Sequence, residues 1–154
     1  MDSSDGTNDL KAHILLVEDN ETDAFAIKSI LEEDYTIYMA RDSAEAIRQL
    51  YLAPINVIML DINLGDKSLS GFQLIDYLKM QGRFDNVKVI AITGRSLESM
   101  QQNASFTKFD AYLYKPISKP KIIEAIEAAL LLRPGHVDLS DNAAEGKDKK
   151  KAEE

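Results

Sequence analysis

Five short apolar runs punctuate the chain: "HILLV" (13–17), "TIYMA" (36–40), "NVIML" (56–60), "VKVIAI" (87–92) and "AYLY" (111–114). Continuous runs of this length suit strands buried on both faces, as in a parallel sheet. The stretches between them place apolar residues at helical spacing instead. Ala24, Ile27 and Leu31 share one face, Ala46, Ile47 and Leu50 a second, and Leu74, Ile75 and Leu78 a third. Leu97, Met100 and Ala104 follow, then Ile122, Ile123, Ile126 and Leu130. Asn20, Ser43 and Ser118 stand where three of these helices need N-caps. Five β-α units in succession predict a doubly wound α/β domain around a five-stranded parallel sheet.

The pattern fades at both ends. Residues 1–10 hold three Asp and no positive charge. Pro134 and Gly135 stop the last helix, and "HVDLSDNAAEGKDKKKAEE" beyond them is mixed-charge and nearly free of large apolar residues. The expectation is a folded domain over residues 11–133 between disordered tails at 1–10 and 134–154. A length of 154 residues, 45% hydrophobic, suits one domain with a sizeable core. The net charge of -8 argues against a nucleic-acid-binding surface, which needs a basic patch. The lack of cysteine excludes thiol chemistry and permits a reducing cytosol. No apolar run approaches the length of a membrane span, and "MDSSDGTND" is acidic where a signal peptide is basic, so a cytoplasmic location is expected.

In open α/β sheets ligands bind outside the C-terminal ends of the strands, where strand order reverses. The residues that end the strands therefore matter most. The first strand runs into Glu18 and Asp19, with Glu21 and Asp23 close behind; the third ends in Asp61. The fourth ends in Thr93 and Gly94, and the fifth in Lys115 and Pro116. If these strands are neighbours, three carboxylates, a hydroxyl and an ammonium converge. Carboxylates repel one another by about 4 kcal/mol per pair at 4 Å and an effective dielectric near 20. One Lys does not offset three of them. All-oxygen ligands point to a hard divalent cation, Mg2+ above all, which keeps waters and favours phosphate oxygens. A metal, a Lys and a Thr around one Asp suit a phosphoryl group, and Asp is a known covalent phosphoryl acceptor.

These strand-end residues, taken in order, resemble the receiver domain of two-component response regulators over about residues 11–132. The acidic pair after the first strand matches Glu18 and Asp19, and the phospho-accepting Asp matches Asp61. The Thr or Ser after the fourth strand matches Thr93, and the Lys-Pro after the fifth matches Lys115 and Pro116. Tyr112 matches an aromatic that acts as a rotamer switch. The resemblance implies a flavodoxin-like sheet in the order 2-1-3-4-5 and a cis Lys115–Pro116 bond. It also implies Mg2+ on Asp19, Asp61 and the Asn63 backbone carbonyl, with Glu18 assisting through a water. The implied partners are a histidine kinase or phosphotransfer protein as donor, and a downstream protein or second copy at the fourth helix, fifth strand and fifth helix. Neither nucleic acid nor membrane is among them. The chain has the size of a stand-alone receiver, a signalling module rather than an enzyme acting on other substrates.

Two stretches depart from the family pattern. "DINLGDKSLSG" (61–71) has Gly65 where Pro is usual and opens the third helix at Gly71, two residues late, so "GDKSLS" reads as a flexible flap. Lys108 stands where a Gly often ends the fourth helix, which implies a looser end. Each residue also has a plainer role when taken alone. Glu18 and Asp19 could favour a helix dipole, Asp61 and Thr93 could be turn residues, and Tyr112 a half-buried strand aromatic. His13 and His136 read as surface groups, so the phosphoryl donor must be external. Among other functions, FMN binding would need a Ser/Thr/Gly-rich loop where "VEDNETD" would repel phosphate. A haloacid-dehalogenase-type phosphatase would need a second Asp where Asn63 stands. A receiver that has lost phosphorylation would lack Asp61 or Lys115.

Overall fold

The structure, a computed structural model of the chain, describes residues 11–63, 70–94 and 96–131. Both tails and most of the expected flap lie outside the described residues. Strands β1 (His13–Val17), β2 (Thr36–Ala40), β3 (Val57–Asp61), β4 (Lys88–Thr93) and β5 (Ala111–Tyr114) alternate with five helices. These are α1 (Glu21–Leu31), α2 (Ser43–Leu52), α3 (Gly71–Gln81), α4 (Leu97–Gln101) and α5 (Lys119–Leu130). The strands form one sheet in the order β2-β1-β3-β4-β5, and every pairing is parallel. The topology is the one the resemblance implies.

The unbroken apolar runs of β1, β3 and β4 have the expected cause, whereas the edge strands β2 and β5 are only partly buried. All residues of β3 and β4 are buried, because each strand has a neighbour on either side and helices above and below. Alternate side chains feed two cores. Leu15, Ile58, Leu60 and Ala91 face α2 and α3 through Leu50, Leu74 and Leu78. Ile14, Leu16, Met59 and Ile90 face α1 and α5 through Ile27, Leu31, Ile122 and Ile126. β3 and β4 each begin and end one residue later than the apolar runs, so Asp61 and Thr93 are the last residues of their strands.

Several local expectations need correction. Ser43 is not a cap but the first residue of α2, and Asp42 caps that helix by accepting the Glu45 N–H. Ser118 occupies the N-cap of α5 without a side-chain capping bond. Asn20 does cap α1, through the Asp23 N–H. His13 is not a free surface group: its ring stacks on Tyr38, with Nδ1 2.9 Å from the Tyr38 hydroxyl. The fourth helix is only five residues long and gives way to a 3-10 turn at Ala104–Lys108, with Ala104 exposed. Lys108 is no loose end, because its ammonium lies 2.7 Å from the Asp76 carboxylate on α3.

Candidate functional site

The site forms where β1, β3, β4 and β5 deliver their C-terminal ends to one edge. Beyond β1, the Glu18 N–H donates to the Ala40 carbonyl and continues the pairing with β2 by one residue. Glu18 is thereby drawn inside and is only 1% exposed, whereas its neighbour Asp19 is exposed. The Asn20 N–H donates to Glu18 Oε2 at 3.2 Å. The chain then enters α1 with Asp23 in its first turn.

Asp61 ends β3 opposite Ile92, and the Ile62 N–H donates to the Ile92 carbonyl. The Asn63 N–H donates to Asp61 Oδ1 at 3.0 Å. Ser70 and Gln73 form a capping box at the start of α3. The Gly71 N–H donates to the Ile62 carbonyl, closing the loop that begins after Asp61. A Cβ on Gly71 would lie 2.7 Å from Ile62 Cα and 2.9 Å from the Asp61 carbonyl oxygen. Only glycine lets α3 approach that backbone so closely.

Thr93 is fully buried at the end of β4, and its carbonyl accepts the Lys115 N–H at 2.8 Å. The Lys115–Pro116 bond is cis. Lys115 Nζ lies 3.3 Å from Glu18 Oε1, 3.4 Å from Asp61 Oδ2 and 3.4 Å from Asp23 Oδ2. Carboxylate oxygens of Glu18, Asp19 and Asp61 all fall within 4.8 Å of one another. Tyr112 stands apart. Its ring stacks on Phe106 with centroids 4.5 Å apart, meets Phe109 edge-on, and its hydroxyl donates to the Phe106 carbonyl.

Electrostatics agree with crowding. Burial, then a hydrogen bond and charge from Asp61, push the Glu18 carboxyl up to about 7. Burial disfavours the charged Lys115, but the Asp61 and Glu18 carboxylates outweigh it and raise its pKa above the ordinary lysine value. The ammonium stays charged. Four carboxylates, Glu18, Asp19, Asp23 and Asp61, gather at an edge that carries one ammonium, which leaves negative charge to offset. With oxygen donors alone the cluster suits a hard divalent cation such as Mg2+.

The strand-end reading therefore brings Glu18, Asp19, Asp61 and Lys115 together, with Thr93 at the end of the strand beside Asp61. It did not assign Asp23 a role. The available signal was position: α1 starts straight after the acidic pair, so its first turn sits at the same sheet edge.

Residues 14–127 match the family pattern described as the response regulator receiver domain. The chain belongs to that family. Receivers are signalling modules rather than enzymes of the ordinary kind. A curated relative, the polar-differentiation response regulator DivK of Brucella anthropi, is 28% identical over 118 residues. That match covers 76% of this chain and 94% of the relative. A CheY-like receiver domain protein from Methanospirillum hungatei superposes with a TM-score of 0.66 at 29% identity, covering 78% of this chain and 94% of that one. The receiver domain of a sensor histidine kinase from Pseudomonas aeruginosa, solved with magnesium in its active-site cleft, gives 0.71 at 24% identity. Its match covers 78% of this chain and 98% of that chain. Among the described residues no helix is long and apolar enough to cross a membrane.

Proposed function

We propose that this receiver accepts a phosphoryl group on Asp61 from a phosphohistidine of a kinase or phosphotransfer protein. The observation that carries the reading is Lys115 Nζ held 3.4 Å from Asp61 Oδ2 inside a ring of carboxylates. An Asp61 oxygen attacks the phosphorus in line. The P–O bond forms as the P–N bond breaks, and the electron pair leaves on the imidazole nitrogen. Lys115 draws the phosphoryl oxygens with its charge, and the Thr93 hydroxyl donates to one of them. The Asn63 N–H holds the acceptor carboxylate in place. Asp19, Asp61, the Asn63 carbonyl and Glu18 would hold Mg2+, which supplies charge neutralisation between the carboxylates and the incoming phosphoryl group.

Output is a protein–protein event. Tyr114 on β5 and Leu130 on α5 are exposed apolar side chains, as is Leu131 just beyond it. They support the α4-β5-α5 face as the surface for a downstream protein or second copy. The folded unit is residues 11–133, between charged tails, and works in the cytoplasm. The test is labelling by acetyl phosphate or a phosphohistidine donor. Wild-type protein should take one phosphoryl group with Mg2+ and none in EDTA, and Asp61→Asn should take none while keeping its fold. Full labelling in EDTA, or stable labelling of the Asn variant, would overturn the assignment.

A further inference from the structure

The resting state of Lys115 poses a counting problem. An ammonium has three N–H donors, and this one faces three carboxylates at near-equal distances: Glu18, Asp61 and Asp23. A phosphoryl oxygen arriving at Asp61 needs one of those donors, so one carboxylate must give way. The Glu18 and Asp61 side chains are 1% and 6% exposed; each keeps a backbone N–H on its other oxygen, from Asn20 and Asn63, but the oxygen that lost the ammonium has little access to water. The Asp23 side chain is 47% exposed, and water replaces the ammonium there at little cost. Asp23 is also held in place. Its N–H donates to Asn20 Oδ1 at 2.8 Å in the first turn of α1, which fixes the backbone from which its carboxylate reaches Lys115.

Resting on the phospho-acceptor reading of Asp61, we infer that Asp23 is the positioning residue for Lys115. It is the partner the ammonium leaves when a phosphoryl group arrives. In the resting form it supplies the third contact that aims Nζ at the sheet edge. In the phosphorylated form it opposes the change twice, by competing for the ammonium and by repelling the added negative charge. Asp23 therefore sets how readily the site fills, without touching the reacting atoms.

The test uses the full chain at saturating Mg2+ with BeF3− as the phosphoryl mimic. Asp23→Asn should bind BeF3− about threefold to fivefold more tightly than wild type, the scale of a partly exposed ion pair. Asp23→Glu should stay near wild type. Glu21→Gln removes an equal charge from the same helix turn, at a residue paired with Arg41 rather than Lys115, and should change affinity less than about 1.5-fold. Melting temperatures of the variants confirm that each is folded. An Asn variant at or below wild type overturns the inference, as does an equal gain from Glu21→Gln, which would make the effect one of net charge alone. If wild-type protein bound no BeF3−, the phospho-acceptor reading itself would fail, and this inference with it.

Discussion

Glu18 and Asp19 are adjacent acids with opposite surroundings, one buried and one exposed. Their identity as a pair is plain in the sequence. Which of them lies inside is not, because that depends on the Glu18 N–H donating one more hydrogen bond to the Ala40 carbonyl beyond β1. The consequence is a pH dependence of unusual sign. Burial and Asp61 raise Glu18 to about 7 in the folded chain, against an ordinary value of 4.5. The folded state thus binds a proton more tightly than the unfolded chain. Without metal, stability should fall as pH rises from about 4.5 to 7, by about 1–3 kcal/mol. Mg2+ needs the carboxylates ionised, so its affinity should rise over the same interval and binding should release protons. Melting temperature measured against pH, with and without Mg2+, checks both statements. Glu18→Gln should flatten the metal-free slope; a metal-free protein that gains stability up to pH 7 contradicts the raised Glu18.

At the scale of elements, the apolar runs locate the strands to within a residue: burial on both faces leaves continuous apolar signatures in β1, β3 and β4, and the partly buried edge strands β2 and β5 still keep short apolar runs. It failed on α4 for a local reason. Ala104 prolongs the stripe begun by Leu97 and Met100, but the Asn103 side chain accepts the Ser105 N–H at 2.8 Å and starts a new turn. The 3-10 turn is then tied to α3. Asp76 accepts from the Ser105 hydroxyl at 2.6 Å and from Lys108 Nζ at 2.7 Å. Burial raises the Asp76 pKa, but these two hydrogen bonds and the Lys108 charge outweigh it and hold the carboxyl below its ordinary value. Sequence alone could not pair these residues, which lie about thirty positions apart. Asp76→Ala should loosen this latch by about 1–2 kcal/mol, combining a part-buried hydrogen bond with an exposed ion pair. Amide exchange across residues 103–109 should quicken by about tenfold, while α5 is unaffected. A uniform change across the sheet would mean that Asp76 supports the whole domain rather than this turn.

Across the whole molecule, β4 joins the strand ends at the site to β5, and the proposed switch would run along that connection. Thr93 ends β4 and is paired with Tyr114, while Ala91, two residues back, is paired with Tyr112. The Thr93 carbonyl also anchors the Lys115 N–H, so one strand end touches both the acceptor's side of the sheet and the ammonium's. At rest Tyr112 is occupied elsewhere, stacked on Phe106 and bonded to its carbonyl, in the turn that Asp76 latches. Burial, together with the Tyr114 and Asp110 charges, raises the Tyr112 pKa, so its hydroxyl remains a donor throughout the ordinary pH range. On the proposed function, a phosphoryl group that draws the Thr93 hydroxyl toward Asp61 would leave room beside β5 for the Tyr112 ring. Filling it requires the ring to leave Phe106, which frees the turn after α4. One neutral hydrogen bond and one aromatic stack are worth about 1–3 kcal/mol together, within reach of the differential binding that shifts such populations. BeF3− should therefore change amide exchange at residues 103–112 in wild-type protein. Thr93→Ala should still bind BeF3− at Asp61, yet leave those amides nearly as they are at rest. Equal responses in the two proteins would show that the signal travels by another route than this hydroxyl.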